Sequence, residues 1–155
     1  SMGHANINSG IGVRTNFTVT TVNTETGAYK RAAVKNVTCV GGHEIVASFF
    51  GGEAIASKFS LAIGDAGGNG TSVSDRELNN EVGRTPVNIQ SVSGTTATLR
   101  AFVPSLKQFP RNITEIGIAL DDGDLVNHAQ IPPRDLSGTD TLLVGTIDLT
   151  IGDVT

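Results

Sequence analysis

The residues able to do chemistry fall into three groups. Glu81 and Arg84 stand three apart, and Glu115 interrupts an apolar run further along. An acid beside a guanidinium could act as a general acid with its partner, or as a structural brace in which the Arg fork binds carboxylate and loop carbonyls. We read the brace, with Arg84 held between Glu81 and Glu115. The second group is oxygen-rich. Asp65, Asn69 and Asp75 flank a glycine-rich loop, and Asp121, Asp122 and Asp124 form a tighter cluster. Either set could supply oxygen ligands to a hard cation such as calcium. Neither has the EF-hand spacing, and Asp and Asn also collect in turns for backbone reasons alone. The third group comprises Cys39 and the histidines His4, His43 and His128. These show no zinc spacing, and one cysteine forms no internal disulfide. Cys39 therefore reads as a small buried hydrophobe, and no cofactor or metal is expected.

The element that must position the first group runs from Phe59 to Val87. Phe59, Leu61 and Ile63 alternate as in a strand. Gly64, Gly67, Gly68 and Gly70 then make a loop. Its acidic character, and the lack of a Gly-Lys-Ser/Thr ending, exclude a phosphate cradle. Ser74 with Glu77 three residues on spells a capping box, so the spacing predicts a short helix over 75–82. On it Glu81 and Arg84 would share one face. Pro86 would end the helix, making the segment a strand–loop–helix–strand crossover.

The rest reads as strands and tight turns. Val13–Val22 and Tyr29–Val40 form a hairpin about a turn at 23–27, where Gly27 suits positive φ. Ile45, Val46, Phe49 and Phe50 recur at helical spacing over His43–Phe50, as a plug across one end of the sheet. Val87–Val92 and Thr96–Val103 make a second hairpin, followed by a loop over 104–112. Ile116–Leu120 and Leu125–Ile131 make a third, closed by Pro132 and Pro133. A polar connector, 134–139, leads to a last strand, Leu142–Ile151. The expected fold is all-β, an antiparallel β-sandwich or open barrel of about eight strands with one or two short helices. Residues 1–12 read as a flexible arm, partly an expression scar because Ser1 precedes Met2. Residues 13–155 read as a single β-rich domain.

Composition narrows the function. A formal charge of −4 gives no basic face for nucleic acid. No apolar run approaches the roughly 20 residues of a membrane-spanning helix, and no signal peptide is visible. The chain has no Trp and one Tyr, so an aromatic platform for sugars is lacking. No Gly-x-Ser-x-Gly nucleophile elbow is present.

Two ordered phrases carry a resemblance. Ile63, Gly64, Asp65, Ser72, Ser74, Asp75, Leu78, Glu81 and Arg84 form the first, and Glu115-Ile116-Gly117 anchors the second. A hairpin phrase, Thr26, Gly27, Lys30, Lys35, Asn36 and Val37, precedes them. Together they resemble the small structural proteins of tailed bacteriophages or prophages, found at the baseplate, tail tip or tail-fibre attachment. The loop after Gly64 and the link carrying Phe109-Pro110-Arg111 depart from that pattern. The resemblance implies a non-enzymatic virion protein, assembled in the host cytoplasm into the tail. Its partners would be itself, as a trimer or hexamer, and other tail proteins. The alternative is a β-sandwich binding module that recognises a cell-surface carbohydrate or protein.

Overall fold

The computed structural model describes residues 11–50, 59–103, 112–120, 124–134 and 140–153. Its strands are β1 (Ile11–Asn23), β2 (Tyr29–Val34), β3 (Asn36–Thr38), β4 (Phe59–Gly64), β5 (Glu81–Ser93), β6 (Thr96–Val103), β7 (Ile113–Leu120), β8 (Asn127–Arg134) and β9 (Asp140–Asp153). Among the described residues, one helix, α1 (Val40–Phe50), and one 3₁₀ turn, Gly67–Asn69, accompany them. The strands follow one continuous order, β2-β1-β9-β6-β5-β4-β7-β8-β3, and every pairing is antiparallel. The all-β expectation is met.

The sheet folds over on itself because β5 serves two halves. Its first part, up to Pro86, pairs with β4. From Val87 onward it pairs with β6. A proline has no N–H for a ladder, and it sits at that change of partner. One leaf is thus β2-β1-β9-β6 with the end of β5, and the other is the start of β5 with β4-β7-β8-β3. At the opposite side the chain passes from β2 straight into β3, and Asn36 Nδ2 donates to the Thr15 carbonyl at 2.8 Å. The leaves enclose one core. Val13, Phe17, Val19, Leu99, Ala101 and Val103 come from the first leaf, and Leu61, Ile63, Ile116, Ile118 and Ile131 from the second. Each set alternates along its strand, as a half-buried sheet requires.

Several sequence expectations change. The first hairpin holds through its turn, where Gly27 has φ +74°, but β2 ends at Val34 and β3 belongs to the other leaf. The helix starts earlier than His43: Gly41 and Gly42 lie inside it, buried against the main chain of Leu125 and Val126. Pro132 and Pro133 lie within β8 instead of closing it. The loop over 104–111 and most of the 134–139 connector lie outside the described residues.

The largest correction concerns the segment after β4. There is no helix over 75–82, and β4 and β5 are antiparallel neighbours, so the segment is a long loop and not a crossover. Two of the amides that such a helix would bond internally, those of Asn79 and Asn80, are taken instead by the buried Glu115.

Candidate functional site

The outer face of the second leaf carries a third layer. Residues 65–80 form a compact Ω-type loop whose ends meet: the Asp65 amide donates to the Asn80 carbonyl at 3.2 Å. Asn80 Nδ2 donates to Asp65 Oδ1 at 2.6 Å. Asn79 Nδ2 spans the loop interior, donating to the carbonyls of Ala66 and Gly70. The sheet beneath is lined by small residues on the pairs Ala62–Gly117, Ser60–Ala119 and Gly64–Glu115, which lets the loop backbone come close. A methyl group on Gly64 would stand 2.6 Å from the Asn80 carbonyl oxygen. One on Gly67 would run into the Thr114 carbonyl. Leu78 reaches down into a second small core with Cys39, Ala62, Ala119 and Leu125.

At the centre sits Glu115, fully buried. Its Oε2 accepts the amides of Ala66 and Asn80, each at 3.0 Å. Its Oε1 accepts the Asn79 amide at 2.9 Å and lies 2.8 Å from His128 Nε2. His128, also fully buried, reaches Asp75 Oδ2 through Nδ1 at 2.7 Å. Asp75 in turn accepts the Ser72 amide at 2.7 Å. His128 thus links the two carboxyl groups, with one ring nitrogen within hydrogen-bond distance of Asp75 and the other within hydrogen-bond distance of Glu115. This cluster replaces the helix: Asn79 and Asn80 give their amides to Glu115, and Asp75 takes that of Ser72.

Arg84 lies on the same outer face, opposite Ala62 on β4. Its guanidinium holds Glu81 through both oxygens at 2.9 Å, so the expected pair forms, on a strand instead of a helix. It also reaches the Leu120 carbonyl at 3.4 Å. The expected third member does not join them, because Glu115 takes its bonds from three amides and His128. The spacing of three residues serves in a strand as well because the pair straddles the β-bulge between Ile63 and Gly64.

The candidate cation ligands are drawn into other bonds. Asp65 binds Asn80, Asp75 binds His128, and Asp124 binds Arg76. Asn69 sits in the 3₁₀ turn. Asp121 and Asp122 lie outside the described residues. Among the described residues no group of three His, Cys, Asp or Glu side chains is arranged to hold a metal ion.

On the solvent side of the loop is an open cleft of about 570 Å³, lined chiefly by Arg76, Asn79, Asn80, Glu81, Arg84 and Asp124. Arg76 bridges Glu44 of α1 at 2.9 Å and Asp124 at 3.0 Å. Its hydrogen bond holds the Glu44 carboxyl below the usual glutamate range. Behind the loop, burial and then the Asp75 carboxylate push the Cys39 thiol up to about 12. A thiolate is the reactive form, so Cys39 is the inert buried group its sequence context suggested. His43 is exposed on α1.

His128 is the residue that sequence reasoning missed. Its signal was present: a histidine inside the apolar strand Leu125–Ile131, in a hairpin whose other strand holds the equally misplaced Glu115. Comparison with protein-family models, curated proteins and solved structures gave no match for this chain.

Proposed function

We propose that this chain is a non-enzymatic structural part of the tail of a tailed phage or prophage. It would work by self-association and by docking on neighbouring proteins at the baseplate, tail tip or fibre attachment. The observation that carries the reading is the state of Glu115. A carboxylate has about four lone-pair sites. Glu115 accepts three main-chain amides and lies against one imidazole nitrogen while fully buried. A catalytic acid needs capacity left for a substrate, whereas a saturated one fixes a surface loop. The phrases that carry the phage resemblance, around Gly64, Asp75 and Glu115, are the residues that build this brace.

Light scattering over a range of concentrations tests the reading. A trimer or hexamer supports it, with a mass unchanged by chelator. A single chain at every concentration counts against it and favours the second reading, a binding module. The specific observation behind that alternative is the polar cleft beside Arg76 and Arg84, whose amides and charges suit a sugar or a polar protein segment. Titration with glycans would then show saturable binding that Asn79→Ala, a cleft residue, weakens.

A further inference from the structure

Among the described residues, the first leaf has a strand end without a neighbour on one side. β4 stops pairing with β5 at Pro86. Among the described residues, β5 from Val87 to Ser93 therefore pairs on one side only, with β6. Its other side presents backbone N–H and C=O groups to which no described strand pairs. Residues 88–95 are all exposed. A bulge at Gln90 shifts the register so that Ile89 faces Leu99 and Val92 faces Ala97. Both side chains thus point to the face that buries Leu99, yet they are 57% and 69% exposed. The hairpin runs past the cover of the opposite leaf, and its apolar face continues uncovered.

Proteins normally blunt such edges with charge. The other free end of this leaf, β2, does so with Lys30 and Arg31, both exposed. The β5 end does not. Residues 85–99 carry no charged side chain, the longest such run in the chain. We infer that β5, over Val87–Ser93, pairs edge to edge with the same strand of a second copy. The inference rests on the self-association reading and names its surface. Two copies of a chain with net charge −4 repel wherever their acidic surfaces meet, and this hairpin is where they approach without like charges. An antiparallel contact of one strand with itself has twofold symmetry. It joins the two first leaves into one sheet, with Gln90 of each copy meeting at the twofold axis and Ile89 of each copy diagonal to its counterpart, within reach across the pair. It also selects among assemblies. A hexamer built as three such pairs fits, and an isolated trimer does not.

The test combines solution mass with two substitutions at exposed positions. The wild-type chain is expected as an even-numbered assembly. Ile89→Lys should raise the dissociation constant at this contact by at least about tenfold, leaving far-ultraviolet circular dichroism unchanged. Gln90→Cys, at the centre of the paired stretch, should give a covalent pair under mild oxidation, while Tyr29→Cys on the β2 edge should not. A wild-type trimer, or an Ile89→Lys protein with wild-type mass whose Gln90→Cys counterpart stays single, overturns the β5 contact but leaves self-association standing. A wild-type single chain at all concentrations overturns both.

Discussion

Two outward surfaces of this sheet are built on opposite plans. Over the second leaf, a cluster of ionisable side chains is buried and the loop above it is fastened down. At the end of the first leaf, an uncharged hairpin stands in solvent with apolar side chains uncovered. Charge is ordinarily outside and apolar surface inside, so each region departs from the rule in its own direction. The buried cluster is tolerable because its polar atoms are matched: Glu115, His128 and Asp75 face one another and the loop amides. Fully connected polar groups fix one arrangement, whereas an unmatched edge asks for a partner. The comparison teaches where this chain is finished and where it is not. The 65–80 loop is complete in one copy, and the β5 edge is where the proposed second copy would pair.

The largest expected effect is on the finished side. Glu115→Gln keeps the shape but puts an NH₂ donor where one of two oxygens faced three main-chain N–H groups and His128. Breaking a buried pair of this kind costs about 3–5 kcal/mol, and urea denaturation should show a loss of that size. A variant within about 0.5 kcal/mol of wild type would erase the contrast between the two regions. Gly64→Ala comes next. Its methyl would meet the Asn80 carbonyl oxygen and Glu115 Cγ, both at 2.6 Å, and overpacking of this kind costs about 1–3 kcal/mol. The displaced loop should also expose Cys39, whose Sγ lies 3.6 Å from the Ser72 carbonyl oxygen. Thiol labelling, slow in the native protein, should then speed up before global unfolding.

Arg76→Ala should have the smallest effect, because Arg76 and its carboxylate partners are solvent-exposed. Its pH dependence sharpens the point. Arg76 lowers the Glu44 carboxyl in the folded state, so its contribution is present above the unfolded glutamate value. That contribution fades as pH falls through the depressed folded one. The stability difference between wild type and Arg76→Ala should therefore close on acidification, as read by thermal melts from neutral pH downward.

Much of the fold was legible because it rests on period-2 alternation and turn chemistry. The turn at Gly27, the hairpin at Gly94 and the final strand lie where those signals put them. The loop was misread for a physical reason. Ser74, Glu77, Glu81 and Arg84 have local helix spacing, but the amides of Asn79 and Asn80 are claimed by a carboxylate 36 and 35 residues away in sequence. No local pattern reports that. Glu115 was recognisable as an acid out of place in an apolar strand. Its partner was not Arg84 but His128, which only the β7–β8 pairing brings near. Likewise, the uncharged run at 85–99 is plain in sequence, but its meaning depends on the β4–β5 pairing stopping at Pro86 among the described residues.

Amide hydrogen exchange at Ala66, Asn79 and Asn80 tests the central claim most directly. These amides lie in a surface loop, and the account has them bonded to a buried carboxylate. It expects exchange as slow as in the central strands in the wild-type protein, and fast exchange at all three in Glu115→Gln while β6 and β9 stay protected. Fast exchange at these positions in the wild type would contradict it.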